Sequence, residues 1–409
     1  MVLSPVFEGN VPSILTSWSG KTGQNLHLSN LNFKIIIYAL ILSIIGIFMV
    51  HSATQNEAVT GMITTTQKQI LGMVIGLVLM MILTCIDYHK LIKYSIVFYV
   101  ISMALLIYVK YINPLNISNA NRWMHLPGFG TIQPSEFSKV AVVLMAVFVL
   151  IRIQKHINNV LYLIGYFALT GITVYLIYVE PDLSTSMIIV FALVAMVFVT
   201  GISWKWVGGV LGVVAVFVGA LLFCIYEPEQ KTLNWFIEKD ILQQYQVNRI
   251  NSYFFPEDYP DQTRQQLNSV MAIGGGQLLG KGLNNSTYES VKNGNFLSEE
   301  QCDFIFAVVG EELGFAGSAF IILIYLLLFI EGLRVAGRSP DLEGKLLASG
   351  FVTILLIQCF INMGVAMLLL PNTGTPLPFI SAGMSSLIST YIMMGIMLNI
   401  SMHRKMKVF

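Results

Sequence analysis

The acidic and basic side chains at the edges of long apolar stretches carry this sequence's capacity for reaction. Asp303 stands where a polar segment gives way to an apolar run that continues through Ile330. A carboxylate half out of water is costly unless it is paired or used. The plainer reading is that Asp303 caps the helix that follows, where the positive end of the dipole favours an acid. Glu136 and Lys139 follow Pro134 at the head of another apolar run. Their spacing of three puts them on one helix face, where they can pair, and Pro134 suits the first helical position. Glu180-Pro181-Asp182 opens a further run in the same manner. Glu311 and Glu312 lie one to two turns beyond Asp303. Asp303 and Glu311 are about 12 Å apart along a helix axis, too far for two carboxylates to share one reacting bond. Acid–base chemistry at Asp303 therefore rests on a single carboxylate.

These groups sit in an integral membrane chain. Of 409 residues, 55% are hydrophobic and only 11% charged, and the mean hydropathy is +0.72; a soluble chain carries about 25% charged residues. Apolar runs long enough to span a bilayer lie near 33–52, 68–87, 91–112, 134–152, 158–179, 183–201, 204–226, 303–331, 345–370 and 377–401. The expected fold is all-α and polytopic, with about ten transmembrane helices. Lysines and arginines gather on one set of connecting segments, from Lys34 and Lys90 to Arg334 and Lys405, and are sparse on the other. The positive-inside rule then places both termini in the cytoplasm. Residues 1–32 are polar, lack the apolar core of a signal peptide, and read as a cytoplasmic tail ahead of a membrane domain over 33–409.

Two segments on the opposite side are too polar to be plain connectors: 113–133 and the large extracytoplasmic loop 227–302 between spans seven and eight. Within the latter, 265–279 carries apolar residues at helical spacing, as an amphipathic helix on the membrane surface would, and ends in Gly274-Gly275-Gly276. Residues 275–281 imitate the start of a phosphate-binding loop, but Gly282 stands where Ser or Thr should hold magnesium, so that reading is rejected. Lys281 facing a lipid-linked phosphate competes with a plain solvated lysine. The four cysteines have neither metal-ligand spacing nor a paired pattern. The net charge of +1 says nothing about nucleic acid, and no basic run suggests it as a partner.

In order along the chain, several blocks resemble the shape, elongation, division and sporulation (SEDS) family of RodA, FtsW and SpoVE type. They are Asn121-Arg122-Trp123, Gln133-Pro134-Ser135-Glu136 with Lys139, Pro181-Asp182-Leu183, and Tyr245-Gln246 with Asn248-Arg249-Ile250. Gly280-Lys281-Gly282, Asp303-Phe304-Ile305-Phe306-Ala307 and Gly310-Glu311-Glu312-Leu313-Gly314 follow. Thr373-Gly374, Pro376-Leu377-Pro378-Phe379, Ser381-Ala382-Gly383 and Ser385-Ser386-Leu387 close the series. The sequence departs from the family pattern at Ser184, where Gly is usual, at Ala382 and Met384 around Gly383, and at Gln301-Cys302 before the acid.

The resemblance implies a GT-C-like membrane fold of ten spans in the bacterial cytoplasmic membrane. It also implies a peptidoglycan glycosyltransferase that polymerises lipid II at the outer face, together with a class B penicillin-binding protein. The family's essential acid falls on Asp303, its Arg-Trp pair on Arg122 and Trp123, and its membrane Glu and Lys on Glu136 and Lys139. A lone carboxylate that takes the acceptor hydroxyl's proton suffices for an inverting displacement of a good leaving group. Arg122, Lys139, Arg249 and Lys281 are the cations for the diphosphate, by charge and side. A divalent cation, magnesium or manganese, could share that task, although no metal-ligand cluster appears in the sequence. Two other functions fit ten spans with buried charges: a flippase for a lipid-linked precursor, or a noncatalytic scaffold of the division or elongation machinery.

Overall fold

The computed structural model describes residues 31–55, 64–112, 115–117, 120–126, 130–227, 231–239, 244–285, 290, 297 and 300–403. Nearly all of the expected tail at 1–32, and part of the large loop 227–302, lie outside them. Helices α1 (Phe33–Ala53), α2 (Thr65–Cys85), α3 (Tyr88–Lys93) and α4 (Ser95–Ile107) come first, α4 running into a π-helical turn, Tyr108–Ile112. Strands β1 (Leu115–Ile117), β2 (Ala120–Leu126) and β3 (Gly130–Ile132) follow, then α5 (Pro134–Ile153), α6 (Val160–Val179), α7 (Leu183–Val199) and α8 (Trp204–Tyr226). The polar region after α8 holds α9 (Lys231–Glu238), α10 (Gln244–Phe254) and α11 (Pro260–Gly275). The chain closes with α12 (Ile305–Arg338), α13 (Leu342–Ala366) and α14 (Met384–Met402).

A helix covers each of the ten apolar runs. Seven are long and apolar enough to cross a membrane: α1, α2, α4 with its π turn, α6, α12, α13 and α14; α7 is apolar but shorter. The expectation of an all-α chain needs one correction. Residues in 113–133 form a small antiparallel sheet, order β1-β2-β3, with Trp123 opposite Leu115. A segment this polar, with two prolines, two glycines and four asparagines in 113–133, favours short hairpins over a helix.

The ends of the bundle are tied by polar side chains. At one end Glu331 of α12 holds Lys34 and Asn32 at the head of α1, at 3.4 and 3.2 Å. There too Asn399 of α14 accepts from the Tyr88 amide at 3.0 Å and donates to Thr84 at 2.8 Å. His89 joins Asp87 and Asp341 at 2.7 and 2.9 Å. Burial opposes the charged imidazole, but its hydrogen bonds to Asp341 and Asp87 outweigh that and raise its pKa to about 9. At the other end, here the site end, Ser52 near the close of α1 donates to Glu312 at 2.5 Å. Between them α2 and α14 pack closely because Gly76 lies under Tyr391 and Gly395 under the Met80 backbone, where a Cβ would fall 2.4 and 2.7 Å from its neighbours.

Helix α12 is broken at Gly314, whose φ of 66° and ψ of −164° are not helical. A break frees backbone groups that the bilayer cannot satisfy. The glycine-rich stretch after α11 fills it. Lys281 and Gly282 amides donate to Glu311 and Glu312 carbonyls at 2.9 and 3.0 Å, while Phe315 and Ala316 amides donate to Gln277 and Leu278 carbonyls at 2.8 and 3.0 Å. Side chains cannot fit between strands this close: a Cβ at Gly276 would lie 1.9 Å from the Gly310 carbonyl, and one at Gly280 2.1 Å from that of Glu312. The motif that imitates a phosphate loop is thus a plug for a helix break. The amphipathic helix expected at 265–279 is α11, which starts earlier, at Pro260, and stops at the glycines.

Candidate active site

Helices α2, α5, α7, α12 and α14 begin at the site end. The loop from α13 to α14, residues 367–383, dips between them. Its descent is recorded by Gln69, in the second turn of α2, which donates to the Ser381 carbonyl at 3.1 Å. Gly46, deeper on α1, leaves room there for the Phe379 carbonyl.

Residues 373–376 of this loop form a hub to which the candidate residues attach one carbonyl at a time. The Thr373 carbonyl accepts from Ser184 Oγ at 2.7 Å and from Arg249 Nη1 of α10 at 3.4 Å. Gly374, at φ +71°, lies against Asp303, where a Cβ would sit 3.1 Å from the Asp303 Oδ2 oxygen. The Thr375 carbonyl accepts from Asn362 Nδ2 at 2.7 Å, and the same nitrogen donates to the Asp303 carbonyl at 2.9 Å. The Pro376 carbonyl accepts from Gln358 Nε2 at 2.9 Å, and Gln358 Oε1 accepts from Lys139 Nζ at 3.1 Å.

Asp303 is partly exposed in the turn that precedes α12. The helix's N-cap is Phe304, whose own side chain makes no cap hydrogen bond. The backbone around Asp303 is held on both sides. Ser381 Oγ donates to the Cys302 carbonyl at 2.5 Å, and the Ala382 amide donates to the Gln301 carbonyl at 2.8 Å. These contacts explain why departures from the family pattern at 301, 302 and 382 are tolerated, since all three residues meet through backbone atoms. The departure at Ser184 adds a bond to the hub.

Glu136 and Lys139 pair at 2.8 Å with side chains 4% and 1% exposed. Ser389 of α14 donates to Glu136 at 3.1 Å. Each charge thus has an ionic and a neutral partner, which is what burial of a pair demands. Arg122 projects from β2 to 4.0 Å from Asp182, the N-cap of α7. Asp182 also accepts from Thr185 N at 3.1 Å, Gln133 Nε2 at 3.0 Å and Ser135 Oγ at 3.4 Å. Trp123 is half-buried beside Arg122. Lys281 is engaged elsewhere, at the α12 break, where it pairs with Glu311 at 2.8 Å.

The structure thus gathers Asp303, Arg249, Lys139 with Glu136, and Arg122 with Asp182 around one short loop. The sequence analysis did not single out Gln358, Asn362 or Ser389, which wire them together. Their signal was available: Gln358 and Asn362 are polar, four apart on one face of an otherwise apolar run, and such residues in a membrane segment are costly unless used. Chemically, the arrangement sets the partly exposed Asp303 carboxylate among Arg249 and the charged pairs Lys139–Glu136 and Arg122–Asp182. The first turns of α5, α7 and α14 add the partial positive charge that favours anions at helix N-termini. Among the described residues no three His, Cys, Asp or Glu side chains converge to hold a metal ion.

A bundle of apolar helices with a dipping loop and a charged end defines a polytopic membrane protein with its site at the helix ends. Known proteins share it. The model of the FtsW, RodA and SpoVE cell cycle proteins matches residues 32–406. Over 379 residues the chain is 32% identical to stage V sporulation protein E of Bacillus subtilis (strain 168), covering 91% of this chain and 97% of that protein. It is 31% identical over 384 residues to the peptidoglycan glycosyltransferase MrdB of Escherichia coli (strain K12), covering 91% and 95%. In three dimensions it matches a chain of a solved peptidoglycan synthase complex that coordinates polymerization and crosslinking, with a TM-score of 0.70 and 23% identity over 91% of this chain and 98% of that one. The chain belongs to the FtsW, RodA and SpoVE family.

Proposed function

We propose that this protein is a peptidoglycan glycosyltransferase that polymerises lipid II, with Asp303 as its single general base. The observation that carries the reading is the hub at 373–376, which joins the Asp303 turn to Arg249 directly and to Lys139 through Gln358. Asp303 takes the proton of the acceptor sugar hydroxyl as that oxygen attacks the donor's anomeric carbon. The bond to the diphosphate breaks on the opposite face, so the configuration inverts. Arg122, Lys139 and Arg249 neutralise the departing diphosphate, aided by the helix N-termini, and Trp123 supports Arg122 from the same strand. Lys281 would have to leave Glu311 to join them. A magnesium or manganese ion, if bound, would supply further charge neutralisation to the leaving group.

The site end is the extracytoplasmic end in this reading. Lys34, Arg334 and Arg338 stand at the other, as the positive-inside rule asks, which puts both termini in the cytoplasm and makes ten spans of the ten helix-covered runs. The solved synthase complex, which joins polymerization to crosslinking, supports a crosslinking partner for this chain, here read as a class B penicillin-binding protein. Broken membrane helices also occur in transporters, but here the break is filled by the chain's own glycine loop, which favours the enzyme over a flippase.

The test is polymerisation of lipid II by the purified protein, alone and with its cognate penicillin-binding protein. Glycan strands of many disaccharides are expected from the complex. Movement of lipid II across vesicles without any strand formation would give the chain to the flippase class.

A further inference from the structure

Glu180 is a charged residue type that the mechanism leaves unused. It sits in the short turn from α6 to α7, is fully buried, and neither of its carboxylate oxygens has a hydrogen-bond partner among the described residues. A group of this kind demands an explanation, because unpaired buried polar atoms are rare in folded proteins. Its charged surroundings are Asp182 in the same turn, Lys110 in the π turn after α4, and Arg122 on β2. These are already committed. Lys110 donates to the Val179 carbonyl at 2.7 Å. Asp182 accepts from Thr185, Gln133 and Ser135, with Arg122 at 4.0 Å.

Burial, and then the neighbouring Asp182 charge, push the Glu180 carboxyl up to about 8, against the pull of Lys110 and Arg122. At neutral pH it is therefore a carboxylic acid. The consequence for the site is electrostatic. Two ionised carboxylates would cancel Lys110 and Arg122, whereas one neutral acid leaves a positive charge uncompensated. It also leaves a buried O–H donor with no acceptor among the described residues. Surplus positive charge and an unused donor together call for an anionic oxygen.

We propose that Glu180 acts as a neutral acid that donates a hydrogen bond to an anionic phosphate oxygen of the lipid-linked diphosphate, beside Arg122. The inference rests on the polymerase reading. No bond is made or broken at Glu180, and its proton stays on the carboxyl. An ionised Glu180 would repel the same oxygen, so binding of the diphosphate and deprotonation of Glu180 exclude one another.

The experiment measures lipid II binding to the Asp303→Asn protein in nanodiscs, where turnover does not interfere, between about pH 7 and pH 9.5. The diphosphate diester of lipid II keeps its charge across this range. Affinity should fall above about pH 8, approaching a tenfold loss per pH unit. Adding Glu180→Gln, which keeps a donor but cannot ionise, should hold affinity within about threefold at pH 7 and flatten the profile; Glu180→Ala should weaken binding about tenfold or more throughout. Infrared spectra of ligand-free protein at neutral pH should carry a protonated carboxyl band that Glu180→Gln removes. The proposal is overturned if the Gln variant keeps the alkaline fall, if the Ala variant binds as well as its parent, or if no such band is lost. Failure of the polymerase reading looks different: the wild-type chain with its penicillin-binding partner makes no glycan, whatever the pH profile of lipid II binding.

Discussion

Glu136 and Lys139 offer the sharpest energetic test of how this protein holds its charges. Their side chains are 4% and 1% exposed and 2.8 Å apart. Replacing Lys139 with Met leaves the Glu136 carboxylate buried with only Ser389 as a neutral donor. Replacing Glu136 with Gln leaves the ammonium with Gln358. Breaking a buried pair from one side costs about 3–5 kcal/mol, because the survivor keeps its desolvation cost and loses its counter-charge. Replacing both removes that cost and leaves Gln358 and Ser389 short of a partner, about 1–3 kcal/mol. The two single losses should therefore exceed the double loss by about 3 kcal/mol or more. Unfolding equilibria in mixed detergent micelles for the four proteins complete the cycle. Additivity within about 0.5 kcal/mol would mean the two groups do not interact, and would refute the reasoning. Glycan synthesis by the double variant separates structure from function. If Lys139 also meets the diphosphate, the doubly substituted protein folds yet polymerises poorly.

Three further outcomes follow from the geometry. Gly280→Ala places a Cβ 2.1 Å from the Glu312 carbonyl at φ +80°, which no side-chain motion relieves, so the plug should leave the α12 break; little folded protein should survive detergent extraction, whereas Gly282→Ala, with open space around it, should pay only the left-handed strain of about 1–2 kcal/mol. Gly374→Ala puts a methyl 3.1 Å from Asp303 Oδ2; we expect glycan synthesis to fall at least about tenfold while stability drops by only about 1–2 kcal/mol, as measured by rate and unfolding on the same preparation. For His89, whose pKa is raised to about 9, the stabilisation is full below its unfolded value near 6.5 and is lost as pH rises through 9. Allowing for its partial exposure, the wild type should exceed His89→Gln by about 1–2 kcal/mol near pH 6 and match it near pH 10, read from paired unfolding curves.

Much of this architecture is legible before any coordinates. Apolar runs of bilayer length locate the helices because nothing else can satisfy a backbone in lipid, and each of the ten runs carries a helix. The Glu136–Lys139 contact follows from a spacing of three behind a proline. What escapes the sequence is long-range. Nothing in residues 373–376 announces that their carbonyls and the Gly374 Cα gather α7, α10, α13 and the Asp303 turn, since a loop's backbone contacts leave no trace in residue type. The three-stranded sheet is missed because two of its strands have only three residues, too few to show periodicity. Lys281 reads as a free cation from its neighbours in sequence, yet the break at Gly314 brings Glu311 to it from 30 residues away. Asp182 reads as a cap, and it is one, but Arg122, Gln133 and Ser135 reach it only because β2 and α5 fold back on the same turn.

Everything in the proposed mechanism turns on Asp303, and Asp303→Asn tests it directly. The substitution keeps the volume and an accepting oxygen, so the turn, the hub and the partner interface should persist, with a stability change of about 1 kcal/mol or less. It removes the only base in the scheme. The decisive measurement is the rate of lipid II polymerisation by the purified Asn variant with its penicillin-binding partner, at matched amounts of folded protein. A fall of at least about a hundredfold with partner binding intact is the expected result. Polymerisation near the wild-type rate would contradict it and leave Asp303 a structural residue.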